Sequence, residues 1–183
     1  FILCGGLSQV LAQSRKTQWV DSVFNRLSTE QKIGQMFMVT VPSKASPDVI
    51  RKIEGEIKTQ QIGGVIFQQE SPYHQASATK RLQGISKIPL FVGQDAEWGL
   101  GQMMDSTISF PRSLVLGALK NDSMIYQMGK ETARQMKMVG LNLNFGPIAD
   151  VNNNPQDPLI SYRSFGENNR KVAAKATAFM RGL

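Results

Sequence analysis

The feature that most restricts the fold is a regular exchange between short apolar runs and helical patterns. Ile33–Val41, Gly63–Gln68, Pro89–Asp95 and Leu141–Asp150 are runs of strand character, mostly apolar. Between them lie stretches with helical period. Residues 46–61 put Ile50, Ile53 and Ile57 on one face with Pro47 in the first turn. Residues 73–87 form a second helix. A long helix capped by Asn121 or Asp122 and ending at Gly140 aligns Ile125, Met128, Met136 and Val139, a Met-rich face suited to core packing. Residues 169–183 close the chain as a helix, and residues 19–36 open it as two short helical pieces. The second of those has Ser28 and Gln31 at capping-box spacing. Apolar strands alternating with helices are parallel strands under helical cover. Two layouts satisfy this: a doubly wound sheet and a (β/α)8 barrel. Both place chemistry beyond the C-terminal ends of the strands.

Length bears on the choice. At 183 residues the chain is one domain, yet a (β/α)8 barrel takes about 250 residues, and four strand–helix units are about half of one. The chain is therefore expected to be a piece of a longer gene product. The first residues fit this. Residues 1–12 resemble the back half of a secretory signal peptide, with Val10 and Ala12 spaced for cleavage before Gln13, and residues 13–183 are the domain. Cys4 would leave with that leader, and the residues before it fit a lipid-attachment site poorly. The expected location is secreted or periplasmic, with no integral membrane segment in the mature chain. The single Cys rules out an intrachain disulfide and a Cys-based zinc cage, and the single His rules out a multi-histidine metal site. A net charge of +7 comes without a Lys/Arg cluster interleaved with aromatics, so no nucleic-acid partner is expected.

The residues with chemical potential stand where the third strand runs out. In "FVGQDAEWGLGQMMDSTISFP", Asp95 and Glu97 flank a small residue and are followed by Trp98, Gly99 and Gly101. On fold alone, a nucleotide-binding protein competes for this arrangement. It would need a glycine-rich loop after the first strand, where the chain reads "VPSKASPD".

Four segments in order make the chain recognisable: "KIGQMFMV", "IGGVIFQ", "GQDAEWGLGQMMDSTISFPRSLVLGAL" and "GLNLNFGPIADVNNNPQDPLISYRSFGEN". Together they resemble the N-terminal domain of glycoside hydrolase family 3, in its bacterial β-N-acetylglucosaminidase branch. The last is the most specific, with Pro-x-x-Asp-Val, Asn-Pro and Arg-Ser-Phe-Gly in succession. The resemblance implies a (β/α)8 barrel, present here as its N-terminal half. It also implies hydrolysis of terminal β-linked N-acetylglucosamine with retention, through a covalent glycosyl-enzyme. The partner implied is a carbohydrate, and neither metal nor organic cofactor is implied.

Carried over residue by residue, Asp95 matches the acid that holds sugar hydroxyls, and Arg163 in "SYRSFG" matches the family's arginine on the same sugar. Glu97 and Trp98 join them as substrate-binding candidates. Glu97 could equally stand behind the site, and Trp98 could simply pack its loop. Arg163 could instead pair with an acid such as Asp157, and Asp150 and Asn144 are expected to be structural. Two departures stand out. Met103 occupies the position of a family arginine, and a thioether cannot give bidentate bonds. The family's nucleophile and acid/base are expected downstream of Leu183; His74 lies near the second strand and is not the family's loop histidine. No catalytic residue is therefore assigned within the chain. A carbohydrate-binding protein without catalysis is the alternative.

Overall fold

The computed structural model describes residues 16–154 and 156–183. The proposed leader lies outside the described residues. The chain opens with helix α1 (16–24) and continues through α2 (Thr29–Gly34), β1 (Met38–Val41), α3 (Pro47–Thr59), β2 (Gly64–Phe67), α4 (Pro72–Ile85) and β3 (Phe91–Gln94). After a 3-10 turn at Leu100–Gln102 come α5 (Ser113–Gly117), α6 (Ser123–Met138), β4 (Leu143–Asn144), a second 3-10 turn at Ser161–Arg163, and α7 (Asn169–Gly182).

Local chemistry explains most of these boundaries. Both halves of the Ser28–Gln31 capping box form. That box drives helix through Gly34 and leaves β1 starting at Met38, so the expected strand from Ile33 is shorter by its first turn. Ser46 caps α3 and Pro47 occupies its first turn, where a missing N–H costs nothing. Ile53 and Ile57 are buried beneath it, each contributing about 1.5–3 kcal/mol relative to exposure. At α6 the Asn121 side chain accepts from the Ser123 N–H at 2.8 Å, while Asp122 occupies the cap position. The expected strand at Leu141–Asp150 contracts to two residues. Beyond Asn144 one more backbone bond joins the strands, from the Phe145 N–H to the Gln94 carbonyl at 3.3 Å, and the Asn144 side chain then takes the Gly146 N–H.

The four strands are all parallel and lie in the order β1-β2-β3-β4. A doubly wound sheet reverses its order at a switch point; this one does not. The register aligns Val39 with Val65 and Val65 with Val92 on one face. Those valines, with Val41 and Phe67, pack against Ile53, Ile57, Leu82 and Met136 from α3, α4 and α6. On the opposite face Thr40 and Ile66 pair in register, and Gly93 lies under the ring of Phe145. Phe91 and Phe145 on that side remain 59% and 43% exposed. Helices on one face only, over strands in sequential order, are the arrangement of half a (β/α)8 barrel. A second cluster, Leu116, Ile125, Met128, Phe165, Val172 and Phe179, binds α5, α6 and α7 together beside the sheet.

Candidate functional site

Asp95 follows immediately on β3, at its C-terminal end, and the residues after it are fixed from two directions. The Asn144 side chain, on the neighbouring β4, clamps Ala96. Its Oδ1 accepts from the Ala96 N–H at 2.9 Å and its Nδ2 donates to the Ala96 carbonyl at 3.1 Å. The same Oδ1 accepts from the Gly146 N–H at 2.9 Å. A Cβ on Gly146 would sit 3.0 Å from the Glu97 Cα, so a larger residue there would push the two segments apart by a few tenths of an ångström. From the other direction Gln102 binds Glu97: its Oε1 accepts from the Glu97 N–H at 2.7 Å and its Nε2 donates to Glu97 Oε1 at 3.2 Å. The turn between them needs Gly99 at φ +88°, packed on the Phe110 ring. Gly101 is required for a different reason, since a Cβ there would meet Ser109 at 2.4 Å. Asn144 thus has the structural role expected of it.

Arg163 arrives at this loop from the segment after β4. Its Nε donates to both Glu97 oxygens, at 3.1 and 3.0 Å, and its Nη2 donates to Oε1 at 2.7 Å. Nη1 donates to the Leu159 carbonyl at 3.2 Å. The pair joins residues 66 positions apart. The Glu97 side chain is only 2% exposed, whereas that of Arg163 is 31% exposed. Its partner is neither Asp157 nor Asp150. Asp157 Oδ1 accepts from the Leu159 and Ile160 N–H groups. Asp150 contributes its carbonyl, which takes the Ser164 hydroxyl at 2.6 Å and so anchors the residue next to Arg163.

Electrostatics separate the two acids. The bonds from Arg163 occupy both Glu97 oxygens, and in return Glu97 raises the Arg163 pKa above its ordinary value. Asp95 is half-buried, and among the described residues nothing donates a hydrogen bond to its carboxylate. Burial pushes its pKa up, repulsion from Glu97 adds to this, and the Arg163 charge opposes both. A carboxylate so placed can accept donors brought by a ligand. Trp98 packs partly buried against the α5–α6–α7 cluster, and the Arg112 guanidinium lies 3.4 Å from its ring centroid.

Met103 lies on the same loop. Its carbonyl accepts from the Glu70 N–H at 3.0 Å, and its neighbour Met104 is buried in the core beneath the strands. His74 pairs with Glu70 at 3.3 Å at the start of α4. Among the described residues no cluster of His, Cys, Asp and Glu is placed to hold a metal ion. A cavity of about 710 Å³ between α6, α7 and the open side of β4 is lined by Leu143, Pro147, Ala176 and Met180, and none of the four candidate residues lines it. Sequence reasoning missed the Glu97–Arg163 pair, the Asn144 clamp and Lys175. The Lys175 ammonium is buried and donates to Asp122 at 2.9 Å and to the Leu119 carbonyl at 2.7 Å. The only local signal for that lysine is its place on the inward face of α7, beside Val172 and Phe179.

The chain and its fold have counterparts. Among curated proteins the chain is 26% identical over 161 residues to the beta-hexosaminidase LpqI of Mycobacterium tuberculosis, covering 86% of this chain and 40% of that protein. It is 28% identical over 162 residues to a periplasmic beta-glucosidase of Salmonella typhimurium, covering 86% of this chain and 19% of the relative. Among solved structures, a beta-glucoside phosphorylase BglX bound to 2FGlc superposes with a TM-score of 0.81 at 26% identity, over 90% of this chain and 29% of the other. A glycoside hydrolase family 3 beta-N-acetylglucosaminidase from Paenibacillus sp. superposes with a TM-score of 0.74 at 28% identity, over 85% and 31% respectively. The chain thus spans less than half the length of each. Residues 28–183 match the model of the glycosyl hydrolase family 3 N-terminal domain, and the chain belongs to that family.

Proposed function

We propose that Asp95 and Arg163 form one side of a binding site for a terminal sugar, in a protein that hydrolyses β-linked N-acetylglucosaminides with retention. The observation that carries this is the Asp95 carboxylate: half-buried at a strand end, without a donor among the described residues, and backed by the Glu97–Arg163 pair. Sugar hydroxyls supply the missing donors, and adjacent hydroxyls suit the two oxygens of one carboxylate. Arg163 keeps N–H groups that neither Glu97 nor Leu159 uses, and these are available to the same ring. Glu97 acts by holding Arg163 in place, and Trp98 forms the wall beside it.

The covalent chemistry is assigned to residues beyond Leu183. Retaining glycosidases need two carboxyl-type groups about 5–5.5 Å apart, or an equivalent acid. Glu97 is committed to Arg163, which leaves Asp95 alone. The choice of N-acetylglucosamine over glucose is supported by the hexosaminidase names among the relatives, beside which glucosidase names also stand. A periplasmic or secreted location agrees with the name of the Salmonella relative, and no described helix is long and apolar enough to cross a membrane. A carbohydrate-binding protein without catalysis has Met103 in its favour, since the arginine expected there is gone. Kinetics of the full-length protein on aryl β-N-acetylglucosaminide and aryl β-glucoside decide between these readings. Hydrolysis that prefers the former and drops in Asp95→Ala supports the proposal. Turnover of neither substrate supports the alternative.

A further inference from the structure

Arg112 is a strongly basic group beside the two segments that carry the site, and the sugar reading leaves it unused. Its guanidinium stacks 3.4 Å from the Trp98 ring centroid and 5.0 Å from that of Tyr162. Trp98 directly follows Glu97, and Tyr162 directly precedes Arg163. Arg112 therefore lies between the two segments that carry the site. Arg112 itself is exposed, but the segment that carries it is fixed. The Phe110 N–H donates to the Trp98 carbonyl at 2.8 Å and pins the segment to the site loop. The next residue, Ser113, is buried at the start of α5.

Two facts show what this cation lacks. Among the described residues no carboxylate pairs with Arg112 and no acceptor takes its side-chain N–H groups. Nor is Arg112 among the charges that shift the Asp95 carboxyl, which responds to Glu97 and Arg163. So Arg112 does not neutralise the site's own acids. Stacking covers the faces of a guanidinium and leaves its edge, where the N–H donors lie in a fixed fork. That fork matches a carboxylate in bidentate geometry.

We propose that Arg112 is a specificity residue that binds a carboxylate carried by the glycoside, so that the site favours acidic over neutral N-acetylglucosaminides. The Trp98 ring covers one face of the guanidinium, and the Tyr162 ring lies further off at 5.0 Å. This rests on the sugar-site reading above, and the test separates the two. Phenyl 1-thio-N-acetyl-β-D-glucosaminide and its 3- and 4-carboxyphenyl counterparts, whose thioglycosidic bond resists hydrolysis, are titrated into the full-length protein by calorimetry at low salt. The wild type, Arg112→Gln and Arg112→Lys are compared, with circular dichroism to show that each is folded. The expected result is at least one carboxyphenyl glycoside bound about tenfold more tightly than the phenyl glycoside by the wild type. Arg112→Gln abolishes that preference, read as the ratio of carboxyphenyl to phenyl affinity within each variant; Arg112→Lys retains part of it. Phenyl binding without any preference in the wild type, or a preference that survives Arg112→Gln, overturns the role of Arg112 alone. No binding of any of the three glycosides to the wild type overturns the sugar-site reading and this inference with it.

Discussion

Removing one member of the Glu97–Arg163 pair is expected to cost very different amounts depending on which member goes. Glu97 is 2% exposed and Arg163 31% exposed in their side chains. In Arg163→Met the aliphatic volume is largely kept, but a buried carboxylate loses all three of its guanidinium bonds. Only the Gln102 amide at 3.2 Å remains on it. An uncompensated buried charge costs about 3–5 kcal/mol. In Glu97→Gln the guanidinium loses its ionic partner but can turn toward water, and the amide oxygen still accepts one bond. The cost there is about 1–2 kcal/mol. The assay is urea unfolding of the 183-residue chain followed by circular dichroism, with the double variant completing the cycle. Arg163→Met should lose more stability than Glu97→Gln by at least about 1 kcal/mol. The double variant should be more stable than Arg163→Met alone, because the stranded charge is gone. Equal losses, or strict additivity, would refute the view of Glu97 as a buried anion that exists to hold Arg163.

Asp95→Asn should raise stability at neutral pH. Its folded-state pKa lies above the ordinary 3.8, so ionisation is disfavoured by folding. That cost is absent below pH 3.8, grows as pH rises through the raised pKa, and is full above it. Unfolding free energies of the variant and wild type should therefore converge at acidic pH and separate toward pH 7. Asn144→Ala removes both clamps on Ala96 and should cost about 1–3 kcal/mol in the same unfolding assay. Gly99→Ala forces a Cβ into positive φ against the Phe110 ring and should lower thermal stability by about 1 kcal/mol or more, read from the melting midpoint.

What could be read along the chain was whatever is local. The Ser28 box, Pro47 at the head of α3, the Ile53 and Ile57 face, and Asp95 at a strand end all depend on residues within a turn or two. The alternation of runs narrowed the fold to two layouts. Strand order and one-sided helical cover, which no local pattern encodes, chose between them. The same limit applies inside the site. Glu97 and Asp95 are both acids in the sequence, yet one is bound by an arginine 66 positions away and the other accepts no hydrogen bond from any described residue. Asn144 reads as one polar residue on an apolar strand, and its purpose is visible only when Ala96 lies opposite. The five-residue helix α5 went unread because "SLVLG" is too short to show a period. Strand lengths were overestimated at both Ile33 and Asp150, because apolar content continues past the point where ladder bonds stop.

The most direct measurement of the central claim is titration of N-acetylglucosamine into the isotope-labelled full-length protein, followed by backbone amide shifts in nuclear magnetic resonance. If Asp95 and Arg163 bind a terminal sugar, saturable shifts should centre on Ala96, Glu97, Trp98 and Ser164. In Asp95→Ala the affinity should fall by at least about tenfold while the rest of the spectrum stays folded, since each charge-assisted bond to a hydroxyl contributes about 1.5–3 kcal/mol. Shifts that do not saturate, that centre elsewhere, or that persist unchanged in Asp95→Ala would contradict the assignment of this strand end to a sugar.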